Sequence, residues 1–152
     1  MLRISKLTDY ATAVMTCLAT SGEGVQSAQT LAERAHLELP TVSKLLKQLA
    51  QSGLVKSTRG INGGYRLARR PERISVADIV TAMEGPIGMT ECSVRIGLCG
   101  HESHCGVRVN WQRINRAIAD ALADVSLADM AARPPSRHAA SIPVRISTGQ
   151  IA

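Results

Sequence analysis

Residues 39–70, LPTVSKLLKQLAQSGLVKSTRGINGGYRLARR, constrain the fold more than any other stretch of this chain. Val42, Leu45, Leu46 and Leu49 step by 3, 1 and 3, the spacing of one buried helical face. Pro40 opens that helix, since proline is favoured at the first helical position. Gly53 suits the left-handed residue just past its end, and Leu54 is placed to pack back on Leu49. VKSTRGINGGYRL then reads as strand, Gly/Asn-rich turn and strand. Upstream, SAQTLAERA predicts a short helix with Ser27 as its N-cap, and HLEL predicts the turn into the next helix. Two short helices joined by a tight turn form a helix-turn-helix, and a basic hairpin directly after it makes a winged helix.

Charge says what such a unit meets. Residues 1–80 hold eleven Lys and Arg against six Asp and Glu, whereas residues 81–152 hold seven against six. Nearly all of the net +6 therefore lies in the winged-helix half, which points to a polyanion. Aromatic residues are 2% of the chain and Phe is absent, which argues against single strands, whose bases stack on rings. Duplex DNA, held through phosphates and groove edges, fits better. The candidate contacts are Thr41, Ser43, Lys44, Lys47 and Gln48 on the outer face of the second helix, with Arg59, Asn62 and Arg66 on the wing.

The rest of the chain reads as helices around one aliphatic core. Leu7, Tyr10, Ala11, Val14 and Leu18 form a stripe on a helix over 5–20, with Cys17 beside it as a core residue. SVAD is a capping box opening a helix that carries Ile79, Val80 and Met83 and stops at Gly85 and Pro86. From residue 107, Val107, Trp111, Ile114, Ile118, Ala121 and Val125 form a heptad seam. A two-fold homodimer through that seam would set two recognition helices on a palindromic operator. The expected architecture is mainly α with a small β-hairpin: a winged helix-turn-helix plus a long C-terminal dimerisation helix. Its parts are the DNA-binding domain (1–85), a cysteine loop (86–106), the dimerisation helix (107–131) and a flexible tail (132–152). No signal peptide or membrane span is expected, which places the chain in the cytoplasm. No nucleophile–base pair, phosphate loop or carboxylate pair of recognisable spacing suggests an enzyme.

Three of the four cysteines, Cys92, Cys99 and Cys105, fall in one glycine-rich loop with gaps of six and five residues. Those gaps do not match the close pairs of small zinc sites. They suit a larger iron–sulfur cluster, and Gly97, Gly100 and Gly106 let the backbone wrap closely round it. A fourth ligand is missing; Asp9, Glu91, His101 and His104 are the candidates. Two other readings stay open: a DNA-binding regulator switched by thiol oxidation, and an iron–sulfur carrier protein, which would not need a basic wing.

MLRISKLTDYA, GINGGYRL, the capped SVADIV helix, the three-cysteine loop and the Trp-led helix, in this order over roughly residues 1–130, resemble the Rrf-two family of winged-helix regulators. TECS, CGVR and NW near the loop look most like the proteobacterial regulators of SUF iron–sulfur assembly genes. The resemblance implies a dimeric transcription factor whose cluster, 2Fe–2S or 4Fe–4S, modulates promoter binding. In the IscR-like members a histidine three residues after the last cysteine completes the cluster. Here that position is Arg108, a permanent cation that cannot ligate iron. In the NsrR-like members an early aspartate of the other subunit serves instead, and Asp9 matches it, with His104 as the alternative.

Overall fold

The computed structural model describes residues 3–22, 24–95 and 97–132. The chain runs α1 (Lys6–Thr20), α2 (Ala28–Ala35), α3 (Leu39–Gln51), β1 (Val55–Thr58), β2 (Gly64–Leu67), α4 (Val76–Glu84), α5 (Glu91–Val94), α6 (Arg108–Ala123) and α7 (Leu127–Ala131). Short 3-10 turns lie at Pro71–Arg73 and Glu102–His104. The expected tail lies outside the described residues except for Ala132.

Ser5 caps α1 by accepting from Thr8 N at 3.2 Å. The buried stripe of α1 is Thr8, Ala11, Val14, Met15 and Leu18, rotated from the expected one. Leu7 is 42% exposed and Tyr10 only half-buried. The cause is Thr8, whose hydroxyl donates to Glu84 Oε1 at 2.6 Å and so turns a polar residue inward. Cys17 is half-buried against the core, and burial pushes its thiol up, partly opposed by Arg34.

The helix-turn-helix forms as its sequence requires. Ser27 Oγ accepts from Thr30 N at 3.0 Å, and α2 ends on His36 in the left-handed region at φ 53°. Val42, Leu45, Leu46 and Leu49 of α3 are all 1% exposed or less. Each contributes roughly 1.5–3 kcal/mol of burial. Gly53, at φ 73°, places Leu54 N 3.0 Å from Leu49 O and its own N 3.1 Å from Ala50 O, the two bonds of a Schellman cap.

The wing is antiparallel, with Val55 opposite Leu67, Lys56 opposite Arg66, Ser57 opposite Tyr65 and Thr58 opposite Gly64. Gln26 extends it by pairing both ways with Tyr65, at 2.9 and 2.8 Å. A Cβ on Gly63 would strike the backbone of Thr58, so the tight turn needs glycine there. The box opening α4 is present: Asp78 N to Ser75 Oγ 3.1 Å and Ser75 N to Asp78 Oδ2 3.0 Å.

The single helix expected over 107–131 is instead two. α6 stops at Ala123, and Ser126 and Asp129 form a second capping box that starts α7. Val76 N donates to Val125 O at 2.9 Å and Leu127 N to Ile74 O at 2.7 Å. These bonds turn the chain back, burying Leu127 completely and packing α7 on α1. Residues 125–131 thus complete the winged-helix core instead of prolonging the seam.

Candidate nucleic-acid interface and cysteine loop

On α3, Ser43, Lys44 and Lys47 are exposed and Thr41 is half-buried in the first turn. Gln48 does not join them. Its Nε2 donates to Ala82 O and Met83 O, both at 3.1 Å, so its amide hydrogens are spent on the end of α4. Gln48 thus turns its amide donors toward α4, away from the exposed side chains of Ser43, Lys44 and Lys47. Ser43 and Lys47 share a shallow cleft with Ser57 and Tyr65 of the hairpin, which places helix and wing side by side.

Arg59, Asn62 and Arg66 are exposed on the wing. Lys56 and Arg66 stand directly opposite each other, and such like-charge pairs repel unless an anion lies between or beside them. Arg66, Arg69 and Arg70 line one cleft behind the hairpin. Among the described residues the ion pairs are Arg69–Asp78 at 3.5 Å and Arg108–Glu102 at 2.6 Å. Lys44, Lys47, Lys56, Arg59, Arg66 and Arg70 therefore face solvent without an acidic partner there. Sequence reasoning missed Ile61, fully exposed at the wing tip, because an apolar residue in a turn carries no signal of its direction.

The cysteine loop starts at Thr90, whose Oγ1 lies 3.3 Å from Cys92 Sγ and 2.7 Å from Ser93 Oγ. Cys92 is buried, Cys99 and Cys105 are half-buried, and none of the four cysteines is in a disulfide. Glu102 organises the far side. Its Oε2 accepts from Gly97 N at 2.6 Å and its Oε1 faces Arg108 Nη2. Arg108, at the position where the resemblance puts a histidine ligand, is thus held in a half-buried ion pair. Sequence spacing did not reveal this pair, because its partners meet only through the curl of the loop. His101 and His104 are exposed.

Three uncrosslinked thiols in one loop are suitable chemistry for a thiolate-ligated group. Within one chain, however, no three His, Cys, Asp or Glu side chains among the described residues gather as a metal site. Asp9 is exposed in the first turn of α1, in a cleft with Lys6, Thr12, Val80 and Met130. The same chain does not gather it with the cysteines.

On α6 no residue is buried. Val107, Trp111 and Ile114 are 54, 37 and 43% exposed, so the first half of the heptad seam is uncovered in a single chain. No helix among the described residues is long and apolar enough to cross a membrane.

Comparison with known proteins agrees with this geometry. A family model described as "Rrf2: Iron-dependent Transcriptional regulator" matches residues 4–133. The HTH-type transcriptional regulator IscR of Erwinia tasmaniensis is 31% identical over 130 residues, covering 85% of this chain and 78% of the relative. Among solved structures, CymR, the global cysteine regulator of B. subtilis, superposes with a TM-score of 0.68 at 34% identity, covering 86% of this chain and 97% of the other. IscR of T. potens superposes with a TM-score of 0.62 at 35% identity, covering 85% of each chain. These neighbours share the winged-helix architecture, and the named ones are regulators of transcription, not enzymes.

Proposed function

This chain belongs to the Rrf2 family of DNA-binding transcriptional regulators, and from that premise we propose that it acts as a homodimer on a palindromic duplex operator, governed by its cysteine loop. The carrying observation is the exposed set of Ser43, Lys44 and Lys47 on α3 with Arg59, Asn62 and Arg66 on the adjoining wing, whose cations have no acidic partner among the described residues. Ser43 and Lys44 address base edges, and Arg59 a phosphate or the minor groove. The uncovered seam of α6 supports the dimer, and half-sites lie about one helical turn, or a multiple, apart. If Arg59 holds a phosphate, Arg59→Ala weakens binding to all duplexes alike and flattens the salt slope by about one unit. Equal affinity for operator and random duplex at physiological salt overturns the regulator reading.

For the loop we propose that Cys92, Cys99 and Cys105 hold an iron–sulfur cluster, with Asp9 of the partner subunit as fourth donor and His104 as the alternative. The reading is supported by the three free thiols, the ion-paired Arg108 and the family's iron dependence. A bound cluster supplies a redox-labile centre, and a carboxylate corner is weaker than thiolate. The target genes are proposed to be those of iron–sulfur assembly. Anaerobically purified protein is expected to absorb between about 320 and 450 nm, as thiolate-held clusters do. Alanine at any of the three loop cysteines removes most of that absorbance, and Cys17→Ala keeps it. A second reading, a thiol switch without metal, is favoured by the likeness to a cysteine regulator and by the dispersal of the three thiols within one chain. Colourless protein whose operator affinity follows thiol oxidation selects it.

A further inference from the structure

The segment from Ala82 to Cys92 joins α4 to the cysteine loop, and three other elements grip it. Gln48 of α3 donates to the carbonyls of Ala82 and Met83, both at 3.1 Å. Glu84 Oε1 accepts from Ser5 N at 2.9 Å and Thr8 Oγ1 at 2.6 Å, at the start of α1. Asn115 of α6 clamps the segment from both directions: its Nδ2 donates to Ile87 O at 3.1 Å and its Oδ1 accepts from Met89 N at 3.2 Å. The chemistry suits the place. A helix end leaves carbonyls without partners, and a carboxamide is a neutral group that both donates and accepts.

We propose that this segment is a strap that carries the state of the cysteine loop to the recognition helix, with Gln48 and Asn115 as positioning residues. The proposal rests on the regulatory reading above and supplies its route. Gln48 lies one helical turn after Lys44 and next to Lys47, so a shift at the end of α4 tilts the face that meets bases. Asn115 follows Ile114 of the seam and lies one turn after Trp111, so the same strap is fixed to the α6 seam. Cys92 is buried only three residues beyond Met89. A rearrangement of its thiol therefore pulls on Asn115 first and Gln48 second. Residues 82–91 are half-buried or exposed, so the hydrogen bonds of Gln48 and Asn115, not core packing, pass the displacement on.

Gln48→Met and Asn115→Leu keep bulk and remove the hydrogen bonds. Each variant and the wild type are titrated with a labelled operator in three states: anaerobically purified, stripped by a chelator, and thiol-oxidised. In the wild type, Kd is expected to change about fivefold or more between at least two states, an ordinary coupling strength. In both variants the change falls below about twofold, while the affinity of the anaerobic form stays within about threefold of wild type. Amide exchange of α3 should follow the loop state in the wild type and not in the variants. Arg34→Met removes comparable polar contacts to Thr20 and Ser21 away from the strap, and should keep the full response. An undiminished response in Gln48→Met and Asn115→Leu, or an equal loss in Arg34→Met, overturns the strap. A wild type that binds its operator specifically but ignores the loop state also overturns it. Loss of operator specificity itself removes instead the regulatory reading on which the strap rests.

Discussion

Single residues show how polar contacts corrected an apolar pattern. Thr8 was invisible to a periodicity count, yet it is the polar residue buried at 1% exposure, and its bond to Glu84 turns Leu7 outward. That bond, with the backbone bond from Ser5, holds the Glu84 carboxyl below its ordinary value. A depressed carboxylate contributes stability above its unfolded pKa, and the contribution is lost as pH falls through the folded value. Glu84→Gln is therefore expected to lower Tm at neutral pH, with the difference from wild type shrinking on acidification below the ordinary glutamate range. Thermal melts at a series of pH values check this; a difference independent of pH means that shape, not charge, matters at that position. Gln48 carries the complementary lesson. Its place on the polar face was legible, but the choice between a base and two carbonyls of α4 depended on where α4 came to lie.

At the scale of elements, local chemistry was most legible where it was self-contained. Ser27, Gly53 and the Ser75–Asp78 box all act within a few residues of themselves, and each does what its sequence context predicts, whereas Pro40 comes second in a helix that starts at Leu39. The cap after α3 gives a direct test. A Cβ at Gly53 meets nothing within 4 Å, so Gly53→Ala costs only the left-handed backbone. The expected loss is about 1–2 kcal/mol, read from the urea midpoint at unchanged m-value. A cost near zero would mean that the helix end relaxes into another cap. The break between α6 and α7 was less legible, because Val125 fits the heptad step as well as the residues before it. Its carbonyl is instead taken by Val76 at the start of α4, far away in sequence, and only then does Ser126 act as a cap.

For the whole molecule, the outer surface of α6 is the proposed dimer seam, and two experiments test assembly across it. Ile114→Asp places a charge in the exposed seam, so sedimentation should show a folded monomer with weakened affinity for the palindrome. A persistent dimer sinks the seam as the interface. A mixed dimer then tests ligation across the subunits, one chain carrying Asp9→Ala and the other Cys92→Ala. If Asp9 reaches the partner's loop, one site keeps all its ligands and about half the chromophore survives; if ligation is within a chain, the protein is nearly colourless. The sequence by itself determined the winged helix, its basic face and the gathering of three thiols in one loop, because those rest on periodicity, caps and composition within short windows. The tertiary structure alone decided that Gln48 and Asn115 grip the strap, that Glu102 claims Arg108 and that residues after 125 return to the core. Each of these is a choice among partners far apart in sequence, and a polar group takes whichever partner the packing of apolar faces brings within about 3 Å.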